Sequence, residues 1–201
     1  MTEPCVYIVD DDEAVRDSLA LLLNFRGLRS RTFASAEAFL AAWQPDWRGC
    51  LLLDLRMAGM DGLALQQALA ERACDLPIVF LTGHGDIAHA RAALKRGAVD
   101  FLEKPYAEQA LLDAIGEALT RDRTRHEAVT RASQVRARMA RLSERERQVL
   151  ELVVAGKPNR DIAALLDISP RTVEVFKARM MEKMQARSLP ELVRMHLEAQ
   201  R

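Results

Sequence analysis

The sequence predicts an α/β doubly wound five-stranded parallel sheet, joined by a linker helix to an all-α helix-turn-helix domain. Three observations carry this reading. Within residues 1–120, five short apolar runs alternate with five stretches of helical spacing, the pattern of a parallel sheet with crossover helices. Four of those runs end in reactive groups, Asp10-Asp11, Asp54, Thr82 and Lys104, where open α/β sheets keep their ligands. Finally, the charge is split. Net charge is zero over 201 residues, yet residues 1–120 hold 11 Lys/Arg against 18 Asp/Glu, and residues 121–201 hold 18 against 11. An acidic module followed by a basic one makes the second the candidate for a polyanionic partner.

Cys5-Val6-Tyr7-Ile8-Val9 is β-branched and apolar and runs into Asp10-Asp11-Asp12-Glu13. Val15, Leu19, Leu22, Leu23 and Phe25 follow at helical spacing until Gly27. Leu28 to Phe33 alternates as a second strand, and Ser35 caps a helix carrying Ala38, Phe39 and Ala42, with Glu37 in its first turn. Leu51-Leu52-Leu53 is an unbroken apolar run ending in Asp54, as a strand buried on both faces reads. A Gly59/Gly62 loop leads to a helix through Leu63, Leu65, Leu69 and Ala70. Pro77 to Leu81 is the fourth strand, ending at Thr82-Gly83-His84-Gly85-Asp86. A helix over about 86–96 stops at Gly97, Val99 to Leu102 is the fifth strand, and a helix over about 107–120 closes the module.

In a parallel sheet these strand ends converge. Three carboxylates brought together repel one another unless a hard cation lies among them, and Mg²⁺ takes oxygen ligands from one or two carboxylates, a carbonyl and a phosphoryl group. Lys104 and Thr82 supply a cation and a donor for a phosphoryl group. Asp54 is then a carboxylate nucleophile that forms an aspartyl phosphate. Read singly, each feature is blander: an acidic pair after a strand is often a helix N-cap. Their conjunction at ordered strand ends carries the argument.

Ile8-Val9-Asp10-Asp11, Leu53-Asp54-Leu55-Arg56-Met57, Leu81-Thr82-Gly83-His84-Gly85-Asp86 and Phe101-Leu102-Glu103-Lys104-Pro105 together resemble the receiver domain of bacterial two-component response regulators. The resemblance implies a flavodoxin-like strand order, Asp54 as phosphoacceptor, and Mg²⁺ held by Asp10, Asp11, Asp54 and the backbone carbonyl of Arg56. It makes Thr82 and Lys104 the phosphoryl contacts and Phe101 the aromatic that changes position with Thr82. It also implies a cis Lys104–Pro105 peptide. One departure is Ala58, where the family usually has proline.

Residues 121–141 lack Gly and Pro and favour helix, so they read as a largely exposed linker helix with a thin stripe of Val129, Ala132, Val135 and Met139. The second domain occupies 142–201. Ser143 with Glu146 forms a capping box ahead of Val149, Leu150, Leu152 and Val153. A short helix after Pro158-Asn159 places Ile162, Ala163, Leu165 and Leu166 inward. Ser169 as N-cap and Pro170 at the first helical position start the next helix, with Val173, Phe176, Met180 and Met184 inward. Arg171, Thr172, Glu174, Val175, Ala178 and Arg179 then lie on the open side. Two helices about a tight turn, the second basic on its free face, make a helix-turn-helix; a protein-binding helical bundle is the alternative. Arg160 and Arg179 suit phosphates, Glu174 could accept from cytosine, and Val175 or Ala178 could meet a thymine methyl.

Leu142 to Glu146, Asn159 to Ala163 and Ser169 to Val175 are similar to the LuxR-type DNA-binding domain. The two modules in this order resemble regulators of the FixJ type. Phe176, commonly His or Tyr, and Lys157-Pro158 are departures. The resemblance implies a transcription regulator, not an enzyme beyond its own phosphotransfer and dephosphorylation. A histidine kinase supplies the phosphoryl group, and promoter DNA is the target. RNA polymerase is a further candidate partner, a homodimer is expected on phosphorylation, and Ile87, Arg91, Leu94 and Lys95 are the candidates for its receiver face. Its runner-up is a regulator whose receiver fold works without phosphate. A receiver that blocks the recognition helix until phosphorylated fits the charge split equally well. A phosphatase with a strand-end Asp nucleophile would need a second Asp two residues on, and Arg56 stands there. Three cysteines at no metal-like spacing and no apolar run of membrane length point to a reduced, cytoplasmic protein with no membrane partner.

Overall fold

The computed structural model describes residues 3–83 and 93–199. Five parallel strands form one sheet in the order β2-β1-β3-β4-β5, comprising β1 (Cys5–Val9), β2 (Ser30–Phe33), β3 (Gly49–Asp54), β4 (Ile78–Thr82) and β5 (Asp100–Glu103). Helices α1 (Glu13–Phe25), α2 (Ala36–Ala42) and α3 (Gly62–Glu71) lie between them. The period-2 alternation of the strands divides the core. Tyr7, Val9, Leu51, Leu53 and Phe80 pack with Phe39, Leu65 and Leu69 on one face, while Val6, Ile8, Leu52, Val79 and Leu81 pack with Leu19, Leu23, Leu111 and Ile115 on the other. β3 is buried along its whole length, as its unbroken apolar run requires.

The second strand starts two residues later than the alternation suggests. Leu28 N–H donates to the Leu23 carbonyl at 2.8 Å, and Gly27, at φ +72°, donates to Asn24 at 3.0 Å. This is the Schellman closure of α1, so Leu28 belongs to the helix cap. The helix expected over 86–96 lies mostly outside the described residues. The last receiver helix, expected over about 107–120, and the linker helix, expected over 121–141, are one helix, α4 (Glu108–Met139).

The chain divides into two compact units at Arg125/His126. The second unit has its own core, contributed by α5 (Glu144–Val154), α6 (Asn159–Leu166), α7 (Pro170–Met184) and α8 (Leu189–Ala199). Ser143 forms the capping box with Glu146, and Ser169 caps α7 with Pro170 in its first turn, both as expected. Two apolar expectations change. Leu165 is 61% exposed, because Ile162, Ala163 and Leu166 define the buried stripe of α6 and Leu165 falls beside it. Val135 is 3% exposed and Met139 is partly buried, both against this second core. The lower part of the linker stripe is therefore core, not an exposed seam. The terminal helix α8, which buries Leu192 and Met195, carried no signal singled out from the sequence. Among the described residues no helix is long and apolar enough to cross a membrane, and all three cysteines are free.

Candidate functional site

Parallel register brings the reactive groups to one end of the sheet. Val9 pairs with Leu53 and Asp54 with Leu81, so Asp10 and Asp54 leave adjacent strands side by side. Thr82 closes the next strand and pairs with Glu103, one residue before Lys104. Asp10 is 2% exposed, Asp54 7% and Thr82 1%.

The Lys104 ammonium bridges the two buried carboxylates, 2.7 Å from Asp54 Oδ1 and 2.9 Å from Asp10 Oδ2. The remaining oxygens accept backbone donors: Asp54 Oδ2 from Arg56 N–H at 2.8 Å, and Asp10 Oδ1 from Asp12 N–H at 2.9 Å. Burial pushes the Asp54 carboxyl above its ordinary range, and repulsion from Asp10 adds to this against the pull of Lys104 and the Arg56 N–H. Burial also works against the Lys104 ammonium, but its bonds to the two carboxylates outweigh that and hold it above its ordinary value. Thr82 directs its hydroxyl to the Gly83 carbonyl at 3.2 Å. Phe101 is half-buried against the core beneath, and Lys104–Pro105 is cis.

Two buried carboxylates sharing one ammonium leave an uncompensated negative charge among oxygen donors. That donor set fits a hard divalent cation. Asp11 stands apart from the pair: it is exposed, and its Oδ2 accepts the Ala58 N–H at 2.9 Å. Among the described residues, no three acidic, histidine or cysteine side chains are gathered to hold a metal. A second carboxylate steadies the same loop, since Glu37 Oε1 accepts Met60 N–H at 2.9 Å. Neither tether was evident from the sequence. A proline at position 58 would have had no N–H to give, so the departure at Ala58 was the available signal.

Of the expected dimer-face residues, Leu94 and Lys95 are exposed, whereas Ile87 and Arg91 lie outside the described residues, as does His84.

In the second unit, Arg160, Arg171, Glu174, Val175, Ala178 and Arg179 are exposed, while Val173, Met180 and Met184 are buried and Phe176 is half-buried. Thr172 is half-buried, its Oγ1 2.8 Å from Ser169 Oγ within the N-cap of α7. Lys177, not singled out from the sequence, reaches Asn159 Oδ1 at 2.5 Å and ties α7 to the start of α6. Lys183 reaches the buried Glu146 at 2.6 Å. Burial would raise the Glu146 carboxyl, but the Lys183 ammonium and the Ser143 donor outweigh it and hold Glu146 below its ordinary range.

Residues 6–116 match the response regulator receiver domain, and residues 140–196 match the bacterial regulatory proteins of the luxR family. The chain belongs to the two-domain response regulators. It is 50% identical over 198 residues to the transcriptional regulatory protein FixJ of Rhizobium meliloti, covering 98% of this chain and 97% of that one. Among solved structures, the response regulator StyR superposes with a TM-score of 0.87 at 42% identity, covering 98% of this chain and all of that one. Full-length FixJ from B. japonicum gives a TM-score of 0.61 at 44% identity, covering 100% and 98%. A response regulator of this composition is a phosphorylation-dependent transcriptional regulator of a two-component system. The family is one of transcription regulators, not of conventional enzymes.

Proposed function

We propose that Asp54 is the phosphoacceptor of this regulator and that Asp10, Asp11 and the Arg56 carbonyl, with Asp54, hold Mg²⁺. The reading is carried by the Lys104 ammonium shared between Asp54 and Asp10 at three converging strand ends. Bound Mg²⁺ would neutralise the charge that builds on the transferring phosphoryl oxygens. An Asp54 carboxylate oxygen attacks phosphorus of a phosphohistidine on the partner kinase. A P–O bond forms, the P–N bond breaks, and the imidazole leaves. Lys104 pairs with a phosphoryl oxygen, Thr82 turns its hydroxyl to another, and Phe101 follows.

The phosphorylated receiver dimerises through the face that includes Leu94 and Lys95. Paired copies of α7 then bind two half-sites of promoter DNA, which doubles the contacts and converts a modest coupling energy into a large change in occupancy. Arg160, Arg171 and Arg179 meet phosphates, while Thr172, Glu174, Val175 and Ala178 read base edges. The protein acts in the cytoplasm, and RNA polymerase is the downstream partner. Incubation with a radiolabelled phospho-histidine kinase tests the first step: label should pass to the wild type and not to Asp54→Asn. Equal labelling of both would remove Asp54 from the role.

A further inference from the structure

We infer that the backbone N–H of Ala58 is a positioning group that holds the Asp11 carboxylate away from the metal site and opposes its loading with Mg²⁺. The inference rests on the metal reading proposed above.

Asp11 follows the buried Asp10, and both leave β1 at the carboxyl end of the sheet. The two neighbours behave differently. Asp10 accepts the Asp12 N–H and turns its other oxygen to Lys104, which also bonds Asp54. Asp11 turns to the loop after β3, where Ala58 N–H donates to Oδ2 at 2.9 Å. The third carboxylate therefore does not converge with Asp10 and Asp54, in keeping with the absence of a three-acid cluster among the described residues. The loop that supplies the donor is itself fastened, because Glu37 takes the N–H of Met60 two residues on. Ala58 thus donates from a loop that a second carboxylate also holds. A carboxylate that must rotate inward to reach a cation has first to give up a charge-assisted hydrogen bond. Only a residue with a backbone N–H offers that competing bond, and alanine does while proline cannot. The departure at position 58 consequently weakens the metal site without touching any ligand.

A Mg²⁺ titration of the full-length chain, followed by amide spectra and amide hydrogen exchange, tests this in three variants. Ala58→Gly keeps the N–H and should match the wild type within about twofold. Ala58→Pro removes it and should bind Mg²⁺ about two- to tenfold tighter, the range expected for loss of one competing hydrogen bond. In the wild type the Ala58 amide should lose protection as Mg²⁺ binds, a readout that stands even if the proline variant fails to fold. Equal or weaker binding by Ala58→Pro, or an Ala58 amide whose protection is unchanged on loading, would overturn the inference. A wild type that binds no Mg²⁺ would overturn the metal reading beneath it instead.

Discussion

Lys104 stands 2.7 Å from Asp54 and 2.9 Å from Asp10, so one ammonium serves two carboxylates that are almost wholly buried. Removing it leaves both acids facing each other in a poorly solvated site. Because the lysine side chain is 28% exposed, the cost falls below that of a fully buried pair. Lys104→Met should lower the stability of the first unit by about 1–3 kcal/mol in urea unfolding, and Mg²⁺ should recover part of that loss. A variant as stable as the wild type would show that the bridge is not needed.

Glu146 gives the second unit a pH dependence of known sign. Its carboxyl is held below the ordinary 4.5, so its ionised form stabilises the fold. That contribution is complete above pH 4.5 and is lost as pH falls through the lower folded value. The protection factors of amides in α5 and α7, that is, exchange relative to the intrinsic rate at each pH, should therefore fall below this window. Glu146→Gln should flatten the dependence and cost about 1–3 kcal/mol at neutral pH, since Lys183 and the Ser143 N–H lose their charged acceptor.

Val135 lies in what the sequence suggests is linker, yet it is buried in the second core. Val135→Ala should destabilise that unit by about 1–3 kcal/mol through lost burial and the cavity left behind. A fragment comprising residues 126–201 should unfold at higher urea than one comprising 142–201, which lacks Val135 and Met139. Equal midpoints would contradict the packing.

Residues on the open side of α7 should separate into two kinds of effect. Arg179→Ala should weaken binding to all DNA sequences alike and reduce the slope of log affinity against log salt by about one. Glu174→Ala should change the preferred base at one position of a selected site, worth about 1–3 kcal/mol of discrimination. Binding measured across salt concentrations on selected and scrambled duplexes checks both.

Local pattern made most of this molecule legible. The unbroken apolar run before Asp54 marks a strand buried on both faces, and Ser169-Pro170 marks a helix start, because both signals depend only on near neighbours in sequence. Asp10, Asp54, Thr82 and Lys104 could be assembled because parallel topology decides where strand ends go. What stayed hidden depends on distant partners. Asp122, in a stretch read as exposed helix, is 1% exposed and pairs at 2.8 Å with Arg48, 74 residues away in sequence. Lys183 with Glu146 and Ala58 with Asp11 are likewise pairs separated by 37 and 47 residues. No periodicity links such residues, since their meeting is set by tertiary packing. Leu165 fails for the opposite reason, as local spacing alone placed it on a stripe that three neighbours already fill.

The account stands most directly on DNA binding with and without a phosphoryl mimic on Asp54. Affinity for a selected duplex would be measured with Mg²⁺ alone and with Mg²⁺ plus beryllofluoride, for wild type and Asp54→Asn. The prediction is tighter binding and a dimer for the wild type only when the mimic is present, with Asp54→Asn unresponsive. Equal affinity for both proteins under both conditions would contradict it, and would make the first unit a scaffold and not a switch.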